Sequence, residues 1–155
     1  MDETAFRQAR GAVNLQPCVF EKAVLARCCA CSLAERQNIA EREAVACSSP
    51  AAREQCAVLR ALLRQKSSFA LKLTQLEGPL PHSKVMKVEC GGLLGVQLAV
   101  APEAVPAAEG LPQVADVHSL VRAAQATFGL LSNLPYSTIV QSVVAYRIRR
   151  RRAEQ

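Results

Sequence analysis

The stretch Cys28-Cys29-Ala30-Cys31-Ser32-Leu33-Ala34-Glu35-Arg36-Gln37-Asn38-Ile39-Ala40-Glu41 decides how this chain folds. Its first part continues a helical pattern that begins at Cys18, with Val24, Leu25, Cys28 and Cys31 near one apolar stripe. Its end, Asn38-Ile39-Ala40-Glu41, has the form of a capping box, with Asn38 as cap and Glu41 reaching back. A helix running unbroken through this stretch would hold Cys31 and Cys47 about 24 Å apart. Sulfurs that share one metal ion must approach to about 4 Å. The break at Asn38 is therefore what would let the chain fold back, with a short helix over Ile39–Ala46 and Cys47 at its end.

Thiols are the compositional excess. Six of the seven cysteines fall between Cys18 and Cys56, and Cys90 stands apart. Such density suits soft-metal ligation or redox chemistry better than packing, which any small apolar residue can supply. The preferred ligand set is Cys28, Cys31, Cys47 and Cys56, with Cys18, Cys90 and Cys29 as substitutes. The Cys28-x-x-Cys31 spacing puts two sulfurs on one helical face. Cys47 and Cys56 meet across the corner Ser48-Ser49-Pro50, where Ser49 caps a helix and Pro50 fills its first position. Cys29 points elsewhere and is expected to be buried or free. An all-cysteine set with spare thiols suits an iron–sulfur cluster, with structural zinc as the alternative. His82 and His118 are isolated and are read as a loop residue and a helix-start residue. Lys22, Arg27 and Arg36 flank the thiols and are read as a solvated helix face that could also offset thiolate charge.

The rest of the chain reads as mostly α: a single-domain helical bundle with Cys-rich N-terminal helices and a C-terminal helical hairpin. Asp2 starts a short helix to about Gly11. The helix from Pro50 is expected to reach about Leu73. Residues 85–100 are short, apolar and Gly-interrupted; helix or irregular structure is preferred over a hairpin at Gly91-Gly92. Residues 1–100 form the Cys-rich part and 101–113 an Ala/Pro linker with Pro102, Pro106 and Pro112. Residues 114–155 form the hairpin with its basic tail, packed on the first part. Asp116 caps its first helix, which carries Val117, Leu120, Val121, Ala124 and Phe128. Its second carries Ile139, Val140, Val143, Val144 and Ile148 and runs into the arginines.

The net charge of +6 is concentrated in Arg147, Arg149, Arg150, Arg151 and Arg152. These residues are the candidate surface for an acidic protein partner or, peripherally, an anionic membrane. Nucleic acid is a weaker expectation, because there is no Trp and there are only two Tyr and four Phe to stack on bases. Residues 123–146 lack charge, but their Gln, Ser, Thr and Asn content and the Ser132-Asn133-Leu134-Pro135 turn argue against a transmembrane segment. The opening Met1-Asp2-Glu3 does not resemble a secretory signal, so a cytoplasmic protein with reduced thiols and no disulfide framework is expected. No phosphate loop, nucleophile elbow or zinc-protease helix is present, and no carboxylate pair stands out. The expected function is that of a non-catalytic metal- or cluster-binding accessory for electron transfer, redox sensing or cluster handling. A metal-free adaptor acting through the hairpin and arginine tail is the alternative.

Overall fold

A computed structural model describes residues 4–5, 16–75 and 77–148. The described chain is mostly helical, with one two-stranded antiparallel hairpin. Of the helix expected over 2–11 only residues 4–5 are described, and they are helical; Arg149 to Arg152 lie outside the described residues. Among the described residues, no helix is long and apolar enough to cross a membrane.

The first departure from sequence periodicity comes at residue 26. Helix α1 covers only Glu21–Leu25. Arg27 then adopts φ +65°, a left-handed conformation that ends a helix. The chain beyond it is extended, and Cys29 bridges to Val114 in parallel fashion. Strand β1 (Ala34–Ile39) pairs with β2 (Arg42–Cys47), from Ala34 opposite Cys47 to Ile39 opposite Arg42. The expected helix over Ile39–Ala46 is therefore a strand, and Asn38 sits in the ladder opposite Glu43. Tertiary pairing overrides the local cap. The outer edge of β2 is also taken, since Cys18 donates its N–H to Val45 (2.8 Å) and Cys47 donates to Gln16 (2.8 Å). Ala44, Val45 and Ala46 are buried beneath α1, and the Val45 N–H is held by the Glu21 carboxylate at 2.8 Å.

Helix α2 (Pro50–Ser67) starts where the sequence places it, with the Ser49 hydroxyl accepting from the Ala52 N–H at 3.2 Å. It stops six residues before Leu73. Its buried Arg64 turns back to the carbonyls of Gly78 (2.7 Å) and Gln75 (3.4 Å), pinning the connection that follows. Residues 82–100 are helical throughout: α3 (His82–Met86), a π-helical turn (Lys87–Gly91) and α4 (Gly92–Val100). Residues 101–112 contain no helix or strand. Helix α5 (Val117–Phe128) is capped by the Asp116 carboxylate and closed by Gly129 at φ +84°. A 3₁₀ turn (Leu131–Asn133) leads to α6 (Tyr136–Ala145). Helix α6 ends before Arg147, and Lys87 caps it by donating to the carbonyls of Val144 (2.8 Å) and Tyr146 (2.7 Å).

The π turn and α4 form the centre of the molecule. Helices α5 and α6 do not pair chiefly with each other, as a C-terminal hairpin would; each packs on α4, and α6 also packs on the π turn and α2. The core joins Leu59 and Leu63 of α2, Leu93 and Val96 of α4, and Ile139 and Val143 of α6. Within this core the buried Glu89 carboxylate receives the Ala23 N–H (3.3 Å) and the Arg60 guanidinium (3.2 Å), so it links α1, the π turn and α2. Burial pushes the Glu89 carboxyl up from its ordinary value, while Arg60 and the amide pull it back.

Glycines permit this closeness. A Cβ on Gly91 would stand 2.8 Å from the Val143 Cα and 2.9 Å from the Ser142 carbonyl oxygen, both backbone atoms of α6. A Cβ on Gly92 would meet first the side chain of Leu63, its methyl ends at 2.7 Å and 3.0 Å. A backbone atom cannot step aside, whereas a leucine terminus can rotate. Gly91→Ala should therefore destabilise the protein by about 1–3 kcal/mol through overpacking. Gly92→Ala should cost less, because the helix propensity of alanine returns up to about 1 kcal/mol. Urea unfolding of both variants checks this order; equal midpoints would refute it.

Candidate metal centre

Four cysteines from four separate segments line one small cavity: Cys18, Cys31, Cys47 and Cys56. Three of them are placed by backbone bonds whose partners lie far off in sequence, and Cys56 by the helix that carries it. Cys18 follows Pro17, which is bridged to Ala46 on the free edge of β2. Cys47 closes β2 opposite Ala34. Cys31 lies in the extended segment after α1. That segment is stitched to residues 114–117 by Ala30 N–H to Val114 O (3.0 Å) and Val117 N–H to Ala30 O (2.9 Å). Cys56 stands in the second turn of α2. Ser48 joins the two sides by donating its N–H and its hydroxyl to the Leu33 carbonyl, each at 2.9 Å. Arg53, which also lines the cavity, locks α2 to the Cys18 segment through Nε to Pro17 O at 2.7 Å.

The volume between these groups is about 20 Å³, close to the room that one water-sized sphere occupies. Backbone N–H groups face two of the sulfurs: Phe20 bonds Cys18, and Leu33 and His118 bond Cys31. The Cys47 thiol donates to the Ser49 carbonyl at 3.3 Å. Asp116 holds the Cys31 loop from the other side. Its Oδ1 accepts from the Ser32 N–H (2.9 Å) and hydroxyl (3.2 Å), and its Oδ2 from the Ser119 hydroxyl (2.7 Å). Burial works to raise the Asp116 carboxyl, but these donors together with the His118 N–H hold it below its ordinary value.

Burial pushes the Cys18 thiol up to about 11 and the Cys56 thiol up to about 12, and it raises Cys31 as well. Proximity of the sulfurs adds to the effect: a thiolate at Cys31 or Cys47 raises Cys18, and thiolates at Cys18, Cys31 or Cys47 raise Cys56. The cluster therefore resists carrying several negative charges unless a cation stands among them. Among the described residues, no three His, Cys, Asp or Glu side chains are already drawn together tightly enough to hold a metal ion.

The structure separates the two sulfurs of the Cys28-x-x-Cys31 pair. Cys28 forms a disulfide with Cys90, 62 residues away, at a Cα–Cα distance of 6.1 Å. The physical reason is local. Beyond Arg27 the chain is extended, and residues three apart on an extended chain face opposite sides, whereas on a helix they share a face. Cys18 takes the place in the cavity that the sequence reading assigned to Cys28. The disulfide also departs from the expectation of wholly reduced thiols. Cys29 is free and buried in the core, and its thiol is pushed up by burial. Cys90 is occupied by the disulfide.

Two residues at the cavity were not assigned to the thiol site by the sequence. His118 arrives because Asp116 caps α5 at that point, and Arg53 because α2 presents it one turn before Cys56. Neither carries a local signal, since both are brought in by helix placement. Of the cations expected near the thiols, Arg36 instead pairs with Glu43 across the hairpin at 2.7 Å, and Arg27 lines a different cavity.

The raised thiols carry a pH dependence. In metal-free protein the unfolded chain releases thiol protons from about pH 8.5, while Cys18 and Cys56 in the folded chain retain theirs to about 11 and about 12. Folded protein then binds more protons than unfolded, so stability falls as pH rises through that window. Urea unfolding between pH 8 and 11 should show this decline, and it should be shallower in Cys18→Ala/Cys56→Ala; an unchanged slope in the double variant would contradict the assignment. The chain matches no protein-family model, no curated protein and no solved structure.

Proposed function

We propose that Cys18, Cys31, Cys47 and Cys56 hold a metal centre and that the protein is a non-catalytic iron–sulfur accessory, acting in electron transfer, redox sensing or cluster handling. The observation that carries the reading is the convergence of four thiols from four segments on one small cavity. Thiolates are the usual ligands of iron–sulfur clusters and of structural zinc, and neither needs a histidine here. The backbone N–H groups of Phe20, Leu33 and His118 support the cluster reading, because amide bonds to ligand sulfur are one of the means by which a protein sets a cluster's potential. Arg53 would balance part of the negative charge. Zinc is the second reading, and the cavity's size favours it: about 20 Å³ suits a single ion, while a cluster requires the walls to open.

In either form the chain's own residues do the same work. The β-hairpin and the 16–18 segment present Cys47 and Cys18. The Asp116 network fixes the loop bearing Cys31, and α2 closes the cavity with Cys56. Metal loading displaces thiol protons, and burial keeps water from competing for the ligands.

Anaerobic purification followed by assay of iron, zinc and acid-labile sulfide per chain tests the reading. Matched iron and sulfide with visible absorption indicate a cluster, and about one zinc without colour indicates a tetrahedral site. Cys18→Ser should abolish bound metal, while Cys28→Ser should retain it. The reverse pattern would transfer the site to the Cys28-x-x-Cys31 pair. Folded protein without any metal under these conditions would overturn the proposal.

A further inference from the structure

We propose that the Cys28–Cys90 disulfide is a thiol-exchange site with its own binding cavity, and that the ligand it takes is a small anionic thiol. The inference stands apart from the metal centre and does not depend on it. Cys28 is half-buried and lines an open cavity of about 520 Å³, a size ordinary for small-molecule sites. Cys90 is wholly buried and does not line it. An incoming thiolate therefore has access to one sulfur of the bond, that of Cys28.

The charge around the cavity is one-sided. Arg27, His82 and Arg147 line it, and no acidic side chain does so among the described residues. Neither guanidinium forms an ion pair with a described residue. Arg27 also holds φ +65°, the conformation that directs the chain out of α1 and turns Cys28 toward this side. Non-glycine residues in that region are uncommon and tend to occur where geometry is fixed for a purpose. Met86, Leu94 and Tyr146 supply an apolar floor for the carbon frame of a ligand, and the Gln113 amide adds a neutral polar contact.

The step balances without any further reagent. The thiolate sulfur of the ligand attacks the Cys28 sulfur and forms a mixed disulfide. The Cys28–Cys90 bond breaks, and its electron pair leaves with the Cys90 sulfur, which takes a proton from water. A second thiolate then attacks the ligand sulfur of the mixed disulfide and releases Cys28 as a thiolate. The protein gains two electrons, and two thiols become one symmetrical disulfide. A separate anionic group on the ligand, a sulfonate or carboxylate, would rest against Arg27 and Arg147. Opening the bond frees the segment leading to Cys31 from the π turn, so the exchange site lies on the same strand of chain as one wall of the four-cysteine cavity.

The test compares three thiols of similar size: 2-mercaptoethanesulfonate, 2-mercaptoethanol and cysteamine. Rates of mixed-disulfide formation at Cys28 are read by mass spectrometry and divided by each thiol's rate toward an uncharged small-molecule disulfide under the same conditions, which removes differences in thiolate fraction and intrinsic nucleophilicity. Mercaptoethanesulfonate should react about five- to tenfold faster than mercaptoethanol, from charge attraction at contact distance in water, and cysteamine should be slowest. In Arg27→Gln/Arg147→Gln the three rates should converge, and added salt should have the same effect. Circular dichroism of that variant establishes that it is folded. Equal rates for the three thiols in the wild type would overturn the proposal, as would an unchanged order in the folded variant. Adduct formation first at Cys90 would overturn the assigned point of attack.

Discussion

The close approach of the π turn and α4 to helix α6 is the contact on which the rest of the molecule depends. Gly91 and Gly95 leave no side chain between the two backbones, and Ile139 and Val143 fill the space that results. Because this contact is tight, residues 87–100 can sit at the centre with α2, α5 and α6 around them. A central segment so enclosed must satisfy any polar group it carries, and Glu89 does so through the Arg60 guanidinium and the Ala23 amide. That carboxylate in turn fixes α1 against the helical body, and α1 lies over β2.

The four-cysteine cavity forms at the edge of this body, not within it. Of its four segments only the one that carries Cys56 is a long helix. A two-stranded hairpin is marginal alone, and the chain from Cys28 to Leu33 has no regular structure of its own. Rigidity comes from bonds between the segments: Gln16 and Cys18 on β2, Ser48 on Leu33, Asp116 on Ser32, Arg53 on Pro17. Sulfurs held this way raise the cost of deprotonating one another, which is the electrostatic condition that a bound cation relieves. The disulfide works on the opposite side of the same segment. The extended chain sends Cys28 towards Cys90 and Cys31 towards the cavity, so neighbouring thiols have separate chemical settings.

Much of the helical framework was legible in the sequence. Ser49-Pro50 starts α2, Asp116 caps α5, and the apolar spacing of Val117, Leu120, Val121 and Ala124 marks the buried face. These signals are local: a cap bonds an amide two or three residues away, and a stripe needs only a regular helix. The hairpin was not legible. Asn38 and Glu41 have the form of a capping box, but β1 gains a full ladder with β2, and β2 gains a second neighbour in residues 16–18. Bonds to partners outside the window outweigh one local cap. The end of α1 was hidden for a related reason, since nothing about arginine foretells the left-handed turn at Arg27.

By itself, the sequence determined that the protein is mostly helical, that its thiols are concentrated between Cys18 and Cys56, and that Cys47 and Cys56 flank a helix start. Those properties depend on composition and on spacing within a few residues. Tertiary structure alone decided which cysteines share a cavity and which form a disulfide. Cys18 joins Cys31, Cys47 and Cys56 because an edge of β2 needed a partner, and Cys28 is paired with Cys90 because an extended chain separates residues that a helix would have placed together. Spacing in sequence sets which thiols could be neighbours; the conformation between them, fixed by contacts with residues far away in the chain, sets which ones are.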